Sequence, residues 1–292
     1  MKTLVIINQH TAKRELRTGL LEILDILTKA GWTCTVHPTQ SAGDASNAVS
    51  PDYDRIVCIG GDGTLNEVVA GLTTLTPGER PPVGYIPAGT TNDFAASLGI
   101  PIDPLEAAKR IVSALPRPMD CGRLNGHSFN YIASFGAFTE VSYETPQTLK
   151  NSLGHFAYVL EGVAKPGIKP YPIRFTTDNE VMEGEFAFGA FANTRSIGGV
   201  IHLNPDQVAF DDGLHEYLLI RMPKNPTELG QIAHELRTGA YMTSRDGMIR
   251  FGRFDRGTID CGAMSWSLDG ECVRTEGAVT VENLRHAYQL CY

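Results

Sequence analysis

No stretch of this sequence approaches the roughly 18 consecutive apolar residues that cross a bilayer as a helix, so no membrane span is expected. The opening Met-Lys-Thr-Leu-Val-Ile-Ile-Asn holds too short an apolar run for a secretory leader and lacks a cleavage pattern. Cysteine is sparse and scattered: the six residues at 34, 58, 121, 261, 272 and 291 form no CxxC pair and no Cys/His group with zinc spacing. A disulfide framework is therefore excluded and a reducing compartment is expected. Cys58, inside Ile56-Val57-Cys58-Ile59, reads as a small core residue. Repeats, low-complexity tracts and blocks of one charge are missing, and so is a disordered tail. The net charge of −8 speaks against a nucleic-acid partner, although it leaves room for a local basic patch. Neither GxGxxG nor GxxxxGK[ST] occurs, which removes the main support for dinucleotide-dehydrogenase and P-loop readings.

What is present is 292 residues, 42% apolar and 20% charged, enough for two domains with their own cores. The first third alternates strand and helix. Thr3–Asn8 and Arg55–Ile59 are continuous apolar runs suited to strands buried on both faces. Leu16, Leu20, Ile23, Leu24 and Leu27 recur at helical spacing, with Gly31 as the C-terminal cap. Trp32–Pro38 and Val83–Ile86 read as further strands, and Thr64–Leu72 and Pro104–Leu115 as further helices. That alternation predicts a parallel sheet covered on both faces. After about Gly122 the texture changes to short alternating segments, at 128–134, 173–177, 185–192, 214–221, 248–254, 258–261 and 279–281. An antiparallel sandwich or barrel is expected there, interrupted by helices near Pro146–Val163 and Thr227–Arg237.

The sharpest chemical signal is Gly60-Gly61-Asp62-Gly63-Thr64-Leu65-Asn66-Glu67, set between a buried strand and a helix. Glycines let backbone approach a ligand closely and turn with positive φ. N–H groups at the following helix start can then face phosphate. An Asp in such a loop makes sense if it reaches a metal ion on those phosphates, and equally as the cap of an ordinary strand-to-helix turn. Pro87-Ala88-Gly89-Thr90-Thr91-Asn92-Asp93-Phe94 repeats the pattern, and Asn92 and Asp93 suit either capping or ligand contact. Trp266-Ser267-Leu268-Asp269-Gly270-Glu271 puts two carboxylates around one glycine, either a hairpin turn with solvated charges or a site for a base and its partner. Phe210-Asp211-Asp212-Gly213-Leu214 is a turn by default and could hold a hard cation.

GGDGTLNEV, PAGTTNDFA, Met119-Asp120-Cys121-Gly122, the DDG turn and SLDGE stand in the order and spacing of the lipid kinases with a diacylglycerol-kinase catalytic domain. The whole chain resembles that family, and residues 144–162 resemble its soluble bacterial branch. The resemblance implies ATP and Mg2+ as cofactors. Asp62, within Gly60, Gly61, Gly63, Thr64, Leu65 and Asn66, would meet the nucleotide phosphates and their magnesium. Asn8, Thr39 and Thr90 would contact ATP, and Asp120 would organise the cleft. Glu271 would accept the proton, with Asp269 beside it. Ala209, Asp212 and Leu214 would hold a structural magnesium. Two departures stand out: residues 8–13, Asn-Gln-His-Thr-Ala-Lys, lack the family's Pro and Gly, and Ala96 replaces a basic residue that several members acting on diacylglycerol carry.

The expected architecture is α/β: an N-terminal three-layer nucleotide-binding domain over 1–124 and a C-terminal antiparallel β-sandwich domain over 125–283. Residues 284–292 would return to the first domain, and the active site is expected in the cleft between the two. The expected activity is transfer of the γ-phosphoryl group of ATP to a lipid hydroxyl, diacylglycerol or a related glycerolipid. An NAD kinase-like phosphotransferase and a non-catalytic nucleotide sensor are the alternatives. A membrane lipid reached by peripheral contact, a homodimer and a cytoplasmic location at the inner membrane surface complete the expectation. The lipid-facing element is expected at 149–168, with Lys150, Lys165 and Lys169 toward anionic head groups.

Overall fold

The computed structural model describes residues 1–9, 14–90, 92–136, 169–197, 201–203, 208–244 and 246–292. The helix expected near Pro146–Val163 and the lipid-facing stretch at 149–168 lie outside the described residues. Two compact units are present. One comprises Met1–Cys121, Phe210–Asp212 and Leu284–Tyr292; the other comprises Gly122–Ala209 and Gly213–Asn283.

The first unit is built on parallel strands in the order β2 (Thr33–Pro38), β1 (Lys2–Ile7), β3 (Arg55–Gly60), β4 (Val83–Pro87). Val5, Ile7, Val57 and Ile59 point to one face, where Ile23 and Leu27 of helix α1 (Arg14–Lys29) and Ala107, Ala108 and Ile111 of another helix (Pro104–Ser113) close a core. Leu4, Ile6, Ile56 and Cys58 alternate with them and are equally buried, so these strands need apolar residues at every position. Cys58 is the core residue expected, and burial drives its thiol pKa far up. Helix α2 (Asp44–Ala48) packs on α3 (Asp62–Thr74), which packs on β3. A short helix, α4 (Asp93–Leu98), follows β4, and α5 is the Pro104–Ser113 helix, capped by the Asp103 carboxylate on the Glu106 N–H at 2.8 Å. Gly31 has φ 82 and ends α1 in the left-handed region, as its position in the sequence suggests.

Among the described residues, the strands of the second unit pair with one another antiparallel. It contains the last residues of β5 (Arg117–Leu124), then β6 (His127–Phe129), β7 (Ile132–Gly136), β8 (Tyr171–Thr177) and β9 (Val181–Ala192). The two-residue strands β10 (Ser196–Ile197) and β11 (Ile201–His202) follow, then β12 (His215–Arg221), helix α6 (Pro226–Thr238), β13 (Ile249–Phe254), β14 (Arg256–Asp260), β15 (Met264–Leu268), β16 (Glu271–Thr275) and, as far as Asn283, β17 (Ala278–Cys291). The long β9 organises it: its first half pairs with β8, and its second half lies between β7 and β12. Along β12, Tyr217 and Leu219 enter a core with Phe175, Phe191 and Trp266, while Leu218 and Ile220 face a separate cluster with Ile232 of α6. A period of two thus feeds two apolar layers from one strand.

Three differences from the sequence reading have local causes. The segment 128–134 is broken into β6 and β7 at Asn130–Tyr131, where an acidic side chain takes the backbone N–H groups. β5 was not expected as a strand because Pro118, Asp120 and Gly122 interrupt its apolar pattern. β17 extends far beyond the apolar 279–281, through the polar Glu282–His286 that reads as a loop: Ala278–Glu282 pair antiparallel with β14, His286 turns at φ 50, and the last residues, Leu290 and Cys291, pair in parallel with Val83 and Gly84 of β4. Among the described residues, no helix is long and apolar enough to cross a membrane.

Candidate active site

In the first unit the strand order 2-1-3-4 reverses direction between β1 and β3. In an open parallel sheet, ligands bind at such a point, outside the carboxyl ends of the strands. The loops after β1 and β3 flank it and are joined: the Asn8 side-chain amide donates to Thr64 Oγ1 at 3.0 Å, and the Asn8 N–H donates to the Ile59 carbonyl at 3.0 Å. Beside them the loop after β2 is held by the Thr39 N–H on the Ile7 carbonyl, 2.9 Å, while Gln9 Nε2 donates to the Thr39 carbonyl at 3.2 Å. Asn8, Thr39 and Gly60–Asn66 therefore meet at one sheet edge.

Of the two glycine roles expected here, a turn with positive φ is not used. None of Gly60, Gly61, Gly63 or Gly89 has a positive φ; Gly61 is extended, at φ −88 and ψ −175. What they supply is space. A Cβ on Gly60 would come within 2.6 Å of Thr64, and one on Gly89 within 2.6 Å of the Gly61 Cα. The second loop thus lies backbone to backbone on the first, an approach that a side chain at either position would prevent.

Asp62 is the first residue of α3, but its carboxylate reaches the other loop. Oδ2 accepts the Asp93 N–H at 3.0 Å, and Tyr85 Oη lies 3.4 Å from Oδ1. The N–H of Phe94 also donates to this carboxylate. Asp62 therefore caps α4 from outside, which is why Asn92, the N-cap residue, makes no cap of its own. The Asn92 side chain, at φ 52, instead closes its loop on both backbone groups of Gly89, at 2.9 and 3.1 Å. Of the two uses open to Asn92, the geometry shows loop closure. Thr90 is exposed on the same loop. Burial pushes the Asp62 carboxyl above the ordinary Asp range; the Asp93 N–H opposes that shift and the Asp93 carboxylate adds to it. The N-cap of α3, Gly61, brings no side chain to the first-turn N–H groups, which is the arrangement an anion uses.

Asp120 is buried in the first unit and ties three separate chain segments together. Its N–H donates to the Phe210 carbonyl at 2.7 Å, and its Oδ1 accepts the N–H of His286 at 2.8 Å. The His286 ring nitrogen Nε2 in turn donates to the Asp211 carbonyl at 2.9 Å. Phe210–Asp212 consequently packs with the first unit, whereas Ala209 and Leu214, the outer residues of the expected magnesium site, are counted with the second. Among the described residues, no group of three or more His, Cys, Asp or Glu side chains forms a metal cage.

In the second unit the β15–β16 hairpin turns through Asp269 and Gly270, both left-handed at φ 49 and 93. The Asp269 carboxylate accepts the N–H groups of Asn130, Tyr131 and Ile132 at 2.7, 3.0 and 2.9 Å, and its own N–H donates to the Ile132 carbonyl at 2.9 Å. These are the bonds that break the 128–134 segment. Glu271, two residues on, opens β16 with its side chain exposed. The two carboxylates thus have different environments: one is consumed by backbone, the other faces solvent.

The geometry can be set beside known proteins. The model of the diacylglycerol kinase catalytic domain matches residues 2–124. A diacylglycerol kinase from Bacillus subtilis (strain 168) is 36% identical over 279 residues, covering 93% of this chain and 90% of the relative. One from Staphylococcus haemolyticus (strain JCSC1435) is 38% identical over 233 residues, 78% of this chain and 69% of the relative. The crystal structure of a diacylglycerol kinase from Bacillus anthracis str. Sterne superimposes with a TM-score of 0.75 at 25% identity, covering 100% of this chain and 96% of that one. An NAD kinase from Archaeoglobus fulgidus in complex with ATP has a TM-score of 0.50 at 12% identity over 100% and 94% of the two chains, which is a likeness of fold alone. Motif order, sheet topology and identity over nearly the full length agree: this chain belongs to the diacylglycerol kinase family.

Proposed function

We propose that the protein is an ATP-dependent lipid kinase that transfers the γ-phosphoryl group to a hydroxyl of diacylglycerol or a related glycerolipid. The observation that carries this reading is the switch-point edge of the first unit. Two loops pack through Gly61 and Gly89, and α3 offers first-turn N–H groups with no capping side chain. That surface fits a phosphate, which needs N–H donors and room for close backbone approach.

ATP supplies the γ-phosphoryl group when bound. The protein's part is to position and to neutralise charge, as phosphoryl transfer requires. Gly60–Asn66 holds the phosphates, with Asn8, Thr39 and Thr90 around the nucleotide. Asp62 is the carboxylate for the accompanying magnesium. Its bonds to Asp93, Phe94 and Tyr85 use three of about four lone-pair sites and leave acceptor capacity for a cation or its water. One carboxylate beside phosphates and waters is an ordinary magnesium environment. Ala209, Asp212 and Leu214 would hold a second, structural magnesium through one carboxylate and two main-chain carbonyls. Glu271, exposed at the start of β16, takes the proton from the lipid hydroxyl; Asp269 sets the turn that presents it. The lipid is reached by peripheral contact at the inner membrane surface, and a homodimer is compatible with this use.

The test is an assay with labelled ATP in which diacylglycerol vesicles, other glycerolipids and NAD are offered in parallel. Label in phosphatidic acid, dependent on magnesium, is expected. Label in the NAD arm alone, or ATP binding with no labelled product in any arm, overturns the reading.

A further inference from the structure

Helix α3 does more at the switch-point edge than present its N-terminus. Glu67, five residues after Asp62, is half-buried and accepts the Ala45 N–H at 3.2 Å. Ala45 is the second residue of α2, whose own N-cap, Gly43 at φ 80, makes no side-chain cap. The missing acceptor is therefore supplied by a neighbouring helix. One turn further along α3, a Cβ on Gly71 would come within 2.5 Å of the Ser46 carbonyl, so α2 lies directly on the α3 backbone. Glu67 and Gly71, spaced i and i+4, thus form one docking face for α2.

What α2 carries is the loop after β2. The Asp44 carboxylate accepts the Gln40 N–H at 2.7 Å and lies 3.2 Å from His37 Nε2. That loop also contains Thr39, whose backbone is bonded to the loop after β1. A chain of contacts runs from Glu67 through Ala45, Asp44 and Gln40 to Thr39. The same helix holds the loop after β1 through Thr64 and the loop after β4 through Asp62.

We propose that Glu67 is a positioning residue for nucleotide binding. By capping α2 it sets the Thr39–Asp44 loop in register with the phosphate-facing loops, without touching ATP itself. The inference rests on the kinase reading given above and adds a residue that acts only through another loop. Its signature is a change in ATP affinity with turnover at saturating ATP preserved.

The experiment measures ATP binding calorimetrically on the full chain without lipid, and kcat and KM for ATP with diacylglycerol vesicles. Glu67→Ala is expected to raise Kd and KM for ATP about tenfold, the scale of one lost hydrogen bond, with kcat changed less than about twofold. Glu67→Gln keeps an acceptor oxygen for the Ala45 N–H and should restore ATP affinity. Should Glu67→Ala not fold, Glu67→Met keeps the length of the side chain while removing the acceptor, and takes its place. Unchanged ATP affinity in the variant without an acceptor overturns the proposal. So does a fall in kcat at unchanged affinity, or an equal loss in the Gln variant. Wild-type protein that binds no ATP overturns the kinase reading and this inference with it, whereas wild-type turnover with indifferent Glu67 variants overturns the inference alone.

Discussion

The two carboxylate turns of this molecule solve one problem in different ways. In each, an Asp is used to hold distant backbone: Asp62 takes the N–H groups that open α4, and Asp269 takes three consecutive N–H groups between β6 and β7. In the first unit that holding residue is also the proposed partner of magnesium. In the second the duties are divided, since Asp269 holds and Glu271, two residues later, remains exposed. The difference teaches that motif membership does not specify a role. A carboxylate in a conspicuous turn can be the scaffold, the reagent or both, and its hydrogen-bond partners decide which.

The comparison can be broken most severely at Asp62. Asp62→Ala should reduce ATP-dependent turnover by at least about a hundredfold and also cost about 1 kcal/mol, because α4 loses its cap; activity is read by product formation and stability by chemical denaturation. Loss of activity with unchanged stability would show that the cap is not energetically significant and that the duties are separate here too. Next is Glu271→Gln, for which turnover should fall by about a hundredfold, the scale for a positioned base, with ATP affinity and melting temperature unchanged. If this variant keeps its turnover, Glu271 is not the base.

Asp269→Ala should act mainly on stability. It removes the acceptor for three N–H groups, two of them on the buried residues Asn130 and Tyr131, and is expected to cost about 2 kcal/mol in denaturant unfolding. Glu271→Ala, measured in parallel, should leave stability within about 0.5 kcal/mol of wild type. Equal destabilisation by the two would erase the division of labour.

The smallest effect concerns pH. The Asp62 carboxyl is raised above its ordinary range, chiefly by burial. The folded state therefore binds this proton more tightly than the unfolded one. Its contribution to stability is complete below the ordinary Asp value of about 3.9 and is lost as pH rises through the raised folded value. Relative to Asp62→Asn, the wild type should lose stability across that window in magnesium-free buffer. A constant difference between the two melting curves across the same pH range would contradict it.

Much of this was legible in the sequence because the relevant physics is local. Apolar runs such as Arg55–Ile59 can only be strands buried on both faces, and the 3.6-residue spacing of Leu20, Ile23 and Leu27 specifies the buried side of α1. Gly31 ends its helix for the same short-range reason. The glycines of the two loops were legible as a need for small residues, yet not as to which need. Close packing of Gly61 on Gly89 depends on two strands being neighbours, and no window of sequence contains both.

The same limit applies to β17 and to the acidic residues. The polar run Glu282–His286 hides a strand because its partners lie far away in the chain, as does the Asp120 carboxylate that takes the His286 N–H. Sequence by itself determined the fold class, the family motifs and the list of residues able to carry the chemistry, since these follow from side-chain type and short spacing. Tertiary structure alone decided that Asp62 reaches across to α4, that Asp269 is spent on the β6–β7 junction and that Glu67 caps α2. Each of those bonds joins groups between 22 and 139 residues apart, and only the packing of whole elements brings their atoms within hydrogen-bond distance.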